Sequence, residues 1–118
     1  MIAALTLAAT MAVSTRLRLE AWTGGNVATA TATAVKYRLH VYGAPHAKLT
    51  LRADGLAPGW LAAFCTARYC SPMRVDVTLP AKGEAVFQFE LIREETSAPA
   101  RTGGRITSGD GAAVSLPP

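Results

Sequence analysis

The stretch GLAPGWLAAFCTARYCSP, residues 55–72, contains both cysteines of this 118-residue chain. It opens with a glycine- and proline-rich turn, continues through an apolar segment that starts at Trp60, and ends in a short loop closed by Cys65 and Cys70. The segments on either side alternate between apolar and polar residues, which is the pattern of half-buried β-strands. The stretch therefore indicates a connection within an all-β fold more than it indicates an active site.

The alternation on both sides predicts a series of short strands. The strongest has Phe87, Phe89 and Leu91 on its core face. The Ala- and Thr-rich run from Ala28 to Ala34 is an edge strand or an extended linker, and residues 93–104 are predicted to form an exposed loop. The predicted strands are Thr15–Trp22, the second half of Val27–Tyr42, Lys48–Ala53, Arg74–Leu79, Glu84–Ile92 and a final hairpin of Arg105–Thr107 with Ala112–Leu116.

These elements predict an all-β, immunoglobulin-like antiparallel β-sandwich of about seven strands. Turn signals recur roughly every 8–12 residues, and no segment is a convincing amphipathic helix. The length of 118 residues leaves room for one core, so residues 15–118 are expected to form one domain. A small β-barrel is the alternative architecture.

Residues 1–14 contain no charged side chain and resemble the hydrophobic region of a secretion signal, with Ala12-Val13-Ser14 as a small-residue cleavage site. No Lys or Arg precedes the apolar run, as a complete signal would require. As a helix it spans roughly 20 Å, short of the roughly 30 Å bilayer core. A signal predicts a protein of the periplasm, cell surface or medium. An uncleaved membrane anchor and an ordinary first element are the alternatives.

Cys65 and Cys70 enclose four residues, and in an exported protein such a pair predicts a local disulfide. A free thiol pair and redox or metal chemistry are the alternatives, although the spacing differs from Cys-x-x-Cys. Blue copper is disfavoured because no His follows Cys70. Both His40 and His46 are predicted to be solvent-exposed, so neither a metal nor another cofactor is expected.

The net charge of +4 is unevenly distributed. Residues 1–52 carry six basic side chains and one acidic one, a surplus of +5, whereas residues 53–118 carry six and seven, a balance of −1. The first strands therefore predict a basic contact patch for a protein partner, an anionic surface or an acidic glycan. A solvated strand face is the alternative, and nucleic acid is disfavoured because aromatics are not interleaved with the cations. The candidate contacts are Arg16, Arg18, Lys36 and Arg38, with Thr66, Arg68 and Tyr69 of the cysteine loop.

No nucleophile elbow, zinc-protease motif or phosphate-binding loop is found, so the chain is expected not to be an enzyme. Trp60 follows a turn and is predicted to close one end of the core. Trp22 and Tyr69 are the more exposed aromatic candidates, which leaves a carbohydrate-binding or adhesion module as an alternative function. Tyr42 is expected on the polar face of its strand.

Three motifs together resemble the immunoglobulin-like accessory domains of bacterial envelope and secreted proteins, the group called NEW3-like. They are Gly55-Leu-Ala-Pro-Gly-Trp60, then Val75-x-Val-x-Leu-Pro-x-x-Gly83, then Phe87-x-Phe-x-Leu91. The resemblance covers about residues 35–116 and implies no catalytic residues. It favours a binding or scaffolding accessory subunit of a larger envelope or membrane complex. A small metal or redox protein is the last alternative.

Overall fold

A computed structural model of the chain describes residues 14–22 and 34–116. These residues form nine strands in two antiparallel sheets, which confirms the predicted all-β sandwich. The five-stranded sheet has the order β1-β2-β7-β4-β5 and the four-stranded sheet the order β6-β3-β8-β9. The strands are β1 (Arg16–Ala21), β2 (Ala34–Tyr42), β3 (Lys48–Asp54), β4 (Trp60–Cys65), β5 (Cys70–Pro72), β6 (Arg74–Thr78), β7 (Glu84–Arg93), β8 (Arg105–Ser108) and β9 (Ala113–Ser115).

Seven of these strands have the order that is found in immunoglobulin domains. With β5 and β6 set aside, β1-β2-β7-β4 face β3-β8-β9, which is the strand order that constant-type immunoglobulin domains have. The seven predicted segments include β6, as Arg74–Leu79, so the two strands that the prediction lacks are β4 and β5, which both lie within residues 55–72.

Strands β5 and β6 are two halves of one strand that bends at Met73 and passes from one sheet to the other. Met73 has a φ of 62°. Its N–H donates to the carbonyl of Ala62 at 2.8 Å, and its own carbonyl accepts from the N–H of Ala53 at 3.0 Å. The first bond belongs to the five-stranded sheet and the second to the four-stranded sheet. The bend therefore joins the sheets along this side of the sandwich.

The core lies between the sheets and consists of the apolar positions that alternate along each strand. Phe64 of β4 and Phe89 of β7 are fully buried, with ring centroids 5.0 Å apart. The predicted inward positions Leu91 and Val77 are also buried, and Phe87 is partly buried against the same cluster. Trp60 packs against this core as predicted, while its indole N–H donates to the carbonyl of Pro99 at 2.7 Å.

The segment 93–104 differs from the predicted exposed loop because part of it packs on residues 57–59, in the turn before β4. Ala98 and Thr102 are buried. The N–H of Ala57 donates to the carbonyl of Thr102 at 2.8 Å, and a Cβ at Gly59 would lie only 2.7 Å from the Cβ of Ala98. Gly59 thus allows the loop to approach the turn before β4.

A second close approach joins the turns at residues 43 and 83. The N–H of Gly43 donates to the carbonyl of Gly83 at 2.8 Å. Gly83 has a φ of +75°, and a Cβ there would lie 2.4 Å from the carbonyl oxygen of Gly43. Only glycine satisfies both conditions without strain.

Two predictions fall largely outside the described residues: the signal or anchor at residues 1–14, of which only Ser14 is described, and the strand or linker at Ala28–Ala34, of which only Ala34 is described. Within residues 14–22 and 34–116, the chain has no helix with the length and apolarity that crossing a membrane requires.

Candidate interaction surface

The outer face of the five-stranded sheet carries most of the predicted contact residues. In β1, β2 and β7 the apolar positions face the core, so the intervening polar positions face outward. The register places Arg18 opposite His40 and Glu20 opposite Arg38. We call this the outer face, and on these three strands it comprises Arg16, Arg18, Glu20, Lys36, Arg38, His40, Tyr42, Glu84, Val86, Gln88 and Glu90.

Two cations of the outer face lie over aromatic rings. The Arg16 guanidinium is 4.9 Å from the ring centroid of Tyr42, its direct partner in the register. The Arg38 guanidinium is 4.7 Å from the ring centroid of Trp22. Each exposed contact of this kind contributes roughly 0.5–1 kcal/mol. The predicted exposure of Trp22 is therefore only partly correct, because the ring is half-buried under Arg38.

His40 and Glu20 form the closest polar pair of this surface. The Nε2 of His40 lies 2.8 Å from Oε1 of Glu20, and the His40 side chain is only 16% exposed. The predicted solvent exposure of His40 is therefore wrong, whereas His46 is exposed in its turn. The hydrogen bond from His40, with the charges of His40, Arg18 and Arg38, lowers the pKa of the Glu20 carboxyl.

The cations of the outer face are interleaved with carboxylates. Arg18 lies 4.0 Å from Glu20, and the Nζ of Lys36 lies 3.9 Å from Oε1 of Glu90. Glu20 lies on β1, the same strand as Arg18, whereas Glu90 lies on β7 and faces Lys36 through the pairing of β2 with β7. The cations of the predicted basic patch do lie on one face, but carboxylates from the same strand and from a neighbouring strand partly neutralise their charge.

The cysteine loop is a tight hairpin between β4 and β5, and β4 pairs with β7 at the side of the outer face. Cys65 and Cys70 are paired in the register of β4 and β5 and form a disulfide, as predicted. Thr66 shapes the turn: its N–H donates to the carbonyl of Tyr69 at 2.8 Å, and its hydroxyl accepts from the N–H groups of Arg68 and Tyr69 at 3.3 Å each. Arg68 and Tyr69 are exposed.

Two open grooves on the outer face meet at Val86. The first, here the disulfide groove, has a volume of about 500 Å³ and joins Arg38 to the hairpin; it is lined by Trp22, Arg38, Cys65, Thr66, Val86 and Gln88 among others. The second, here the turn groove, has a volume of about 480 Å³ and is lined by Arg18, His40, Tyr42, Lys82, Glu84 and Val86 among others.

The structure thus brings the predicted contacts of the first strands next to those of the cysteine loop at one groove. Arg38 and Thr66 line the same groove, and Arg16, Arg18 and Lys36 share the outer face with Arg38. Arg68 and Tyr69 project from the adjoining hairpin without lining either groove. The role of these residues as contacts stays a prediction.

Val86 is the residue of this surface that the sequence analysis missed. Its side chain is 56% exposed, and together with Tyr69 it makes up the exposed large hydrophobic residues of the described chain. The signal was present in the sequence, because Val86 stands between Glu84 and Gln88 on the polar face of β7.

Metal chemistry has no evident place in the described ranges. Among residues 14–22 and 34–116, no three side chains of His, Cys, Asp or Glu converge as a metal site would require. The absence of a cofactor stays a prediction, as does the absence of catalysis.

Comparison with known proteins gives little further guidance. No protein-family model matches the chain, and no curated protein sequence matches it. Among solved structures the chain is similar to E. coli curli protein CsgC, with 13% sequence identity and a TM-score of 0.37; the match covers 89% of this chain and 100% of that chain. A likeness of this degree says nothing about function, and the resemblance to NEW3-like domains stays a prediction.

Proposed function

We propose that this chain is a non-catalytic, exported β-sandwich that acts as a binding or scaffolding accessory subunit of a larger bacterial envelope or membrane assembly. The observation that carries the proposal is the outer face, where cations, aromatic rings and an exposed valine surround two adjoining grooves. Interfaces are enriched in arginine and aromatic residues relative to other surfaces.

The disulfide supports the location outside the cytoplasm. Structural disulfides form and persist in oxidising compartments and are rare in the cytosol of mesophiles. Cys65 and Cys70 are joined in the structure, and both cysteines of the chain are used. The apolar residues 1–14 favour export for a separate reason, their likeness to a signal.

Cross-linking in the native host tests the proposal. Cells carrying the tagged chain are treated with formaldehyde and fractionated, and the tagged complexes are analysed for wild type, the outer-face variant Arg18→Glu/Arg38→Glu and the control Arg52→Glu. Arg52 is an exposed cation of β3, in the other sheet. We expect an envelope-fraction complex that the outer-face variant loses and the control retains.

Recovery of the chain as a free cytoplasmic monomer with reduced Cys65 and Cys70 would overturn the proposal. A complex that is identical for wild type and the outer-face variant would show that another surface binds the partner.

A carbohydrate-binding or adhesion module is the second candidate, and the exposure of Tyr69 favours it. This ring is 55% exposed beside the disulfide groove, and aromatic faces with a polar tip suit sugar contacts. Trp22 is less suited, because Arg38 covers one side of its ring. A glycan array separates the candidates: binding that Tyr69→Ala abolishes would favour the module.

A further inference from the structure

We propose that the two grooves that meet at Val86 bind an extended acidic protein segment whose central apolar side chain packs on Val86. The inference rests on the proposed function and names the kind of partner that the outer face fits. It follows from the shape, the charge and the apolar centre of the joined grooves.

The shape suits an extended chain running along β7. The turn groove contacts Glu84 and the disulfide groove contacts Gln88, with Val86 between them lining both. Four residue steps along a strand cover about 13 Å, so the joined grooves accommodate about five residues of an extended peptide. The central residue of such a peptide lies over Val86.

The charge of the grooves favours an acidic segment. The described residues that line them include three cations, Arg18, Arg38 and Lys82, and one carboxylate, Glu84. Glu84 lies 3.8 Å from the Nζ of Lys82, and Glu20 lies 4.0 Å from Arg18, so carboxylates offset two of these three cations and a net positive charge remains. Cations lie at both ends of the joined grooves, with Arg38 in the disulfide groove and Lys82 in the turn groove. A segment with carboxylates on each side of its centre matches this pattern.

The apolar centre distinguishes the surface from a simple anion site. Val86 is 56% exposed although it lies within β7, as the third of its ten residues. Covering it with an apolar side chain removes that surface from water, which is favourable. A polyanion without an apolar group gains nothing from Val86.

An outside partner fits this surface better than the chain's own remaining segments. Residues 1–13, 23–33 and 117–118 contain no Asp or Glu. None of them supplies the carboxylates that the grooves would attract.

Fluorescence anisotropy with synthetic peptides on the purified chain tests the inference. The probe is a fluorescein-labelled Asp-Glu-Leu-Glu-Asp peptide, compared with the same peptide carrying a central Ser and with its Lys-for-acid counterpart. We expect the leucine peptide to bind, the serine peptide to bind about fivefold more weakly, and the lysine peptide not to bind. Binding of the leucine peptide is expected to weaken as salt is raised.

Variants assign the binding to the joined grooves. Arg38→Gln, Lys82→Gln and Val86→Ser are each expected to weaken the leucine peptide about three- to tenfold, whereas Arg52→Gln on the other sheet is expected to leave it unchanged. Circular dichroism checks that each variant is folded, and Lys82→Gln changes only an exposed turn residue.

Three results would overturn the inference: no binding of the leucine peptide at millimolar concentration, equal binding of the serine peptide, which indicates a polyanion site, or an equal effect of Arg52→Gln. The host cross-linking experiment is independent of these peptides. A complex that still depends on Arg18 and Arg38 while no peptide binds would leave the proposed function standing and remove the acidic segment.

Discussion

His40 shows how one residue's environment depends on a partner that lies far away in sequence. It alternates with Lys36 and Arg38 on a polar strand face, which predicts solvent exposure. The pairing of β1 with β2 instead brings Glu20 within 2.8 Å of its ring, and Tyr42 stacks beside it with an interplanar angle of 10°. The alternation predicts which face a residue occupies, whereas the strand register decides what it contacts there.

The Glu20 carboxylate is expected to make stability depend on acid pH. Its folded-state pKa lies below the ordinary value of 4.5, so the unfolded chain binds more protons at this site as the solution is acidified. Its contribution is complete above that value and is lost as the pH falls through the folded-state pKa. Glu20→Gln is therefore expected to lower the free energy of unfolding more at about pH 6 than at about pH 3.

Urea unfolding of both proteins at the two pH values measures the difference. An equal loss at both would show that the carboxylate's charge is not responsible. His40→Gln serves as the partner control, because it removes the imidazole whose hydrogen bond is the main cause of the lowered pKa of Glu20.

Gly83 offers a second test at the residue scale. Gly83→Ala places a Cβ 2.4 Å from the Gly43 carbonyl oxygen at a φ of +75°, and we expect a loss of about 1–3 kcal/mol in the free energy of unfolding. Gly109→Ala is the matched control, since nothing lies within 4 Å of a Cβ there, and it is expected to stay within about 0.5 kcal/mol of wild type. Equal effects of the two substitutions in thermal unfolding would contradict the prediction.

The β4–β5 hairpin is the element that joins the fold to the candidate surface. Its disulfide spans a sequence separation of only 5, and the Thr66 hydrogen bonds already define the turn. A loop this short is expected to contribute about 2 kcal/mol in the chain-entropy model. We expect its larger effect to be on the position of Thr66, which lines the disulfide groove beside Cys65.

Removal of the disulfide is therefore expected to affect binding more than folding. The double variant Cys65→Ala/Cys70→Ala should remain folded, lose at most about 2 kcal/mol of stability, and bind the acidic leucine peptide more weakly. Urea unfolding and fluorescence anisotropy measure the two effects, with reduced wild-type protein as the comparison. Global unfolding of the variant would show that the hairpin supports the whole domain.

Element prediction from the sequence succeeded where one strand face is buried and failed where pairing alone defines the strand. Phe89 and Leu91 alternate with polar residues, so β7 is evident. The three residues of β5 show no such pattern, and their strand exists because the disulfide hairpin pairs Cys70 with Cys65. The same alternation predicts that four cations face away from the core: Arg16, Arg18, Lys36 and Arg38. The grooves were not predictable, because they depend on how the hairpin and β7 meet.

Apart from the local hairpins β4–β5 and β8–β9, the described sheets contain strand pairs that are distant in sequence. β2 pairs along its full length with β7, from Ala34 with Ile92 to Tyr42 with Glu84, and β3 pairs with β8. Closing such long loops is slow, so we expect folding in milliseconds to seconds, as is typical of all-β sandwiches. Stopped-flow tryptophan fluorescence measures the rate, and folding within microseconds would contradict the expectation.

The bend at Met73 has a consequence for how the domain opens. One strand serves both sheets, and its N–H and carbonyl bond to Ala62 on one side and Ala53 on the other. Separation of the two sheets at this edge must break one of these two hydrogen bonds, so we expect opening of a single sheet to be suppressed. Amide hydrogen exchange at Met73 and Ala53 should then proceed only through unfolding of the entire domain, with protection equal to the global free energy.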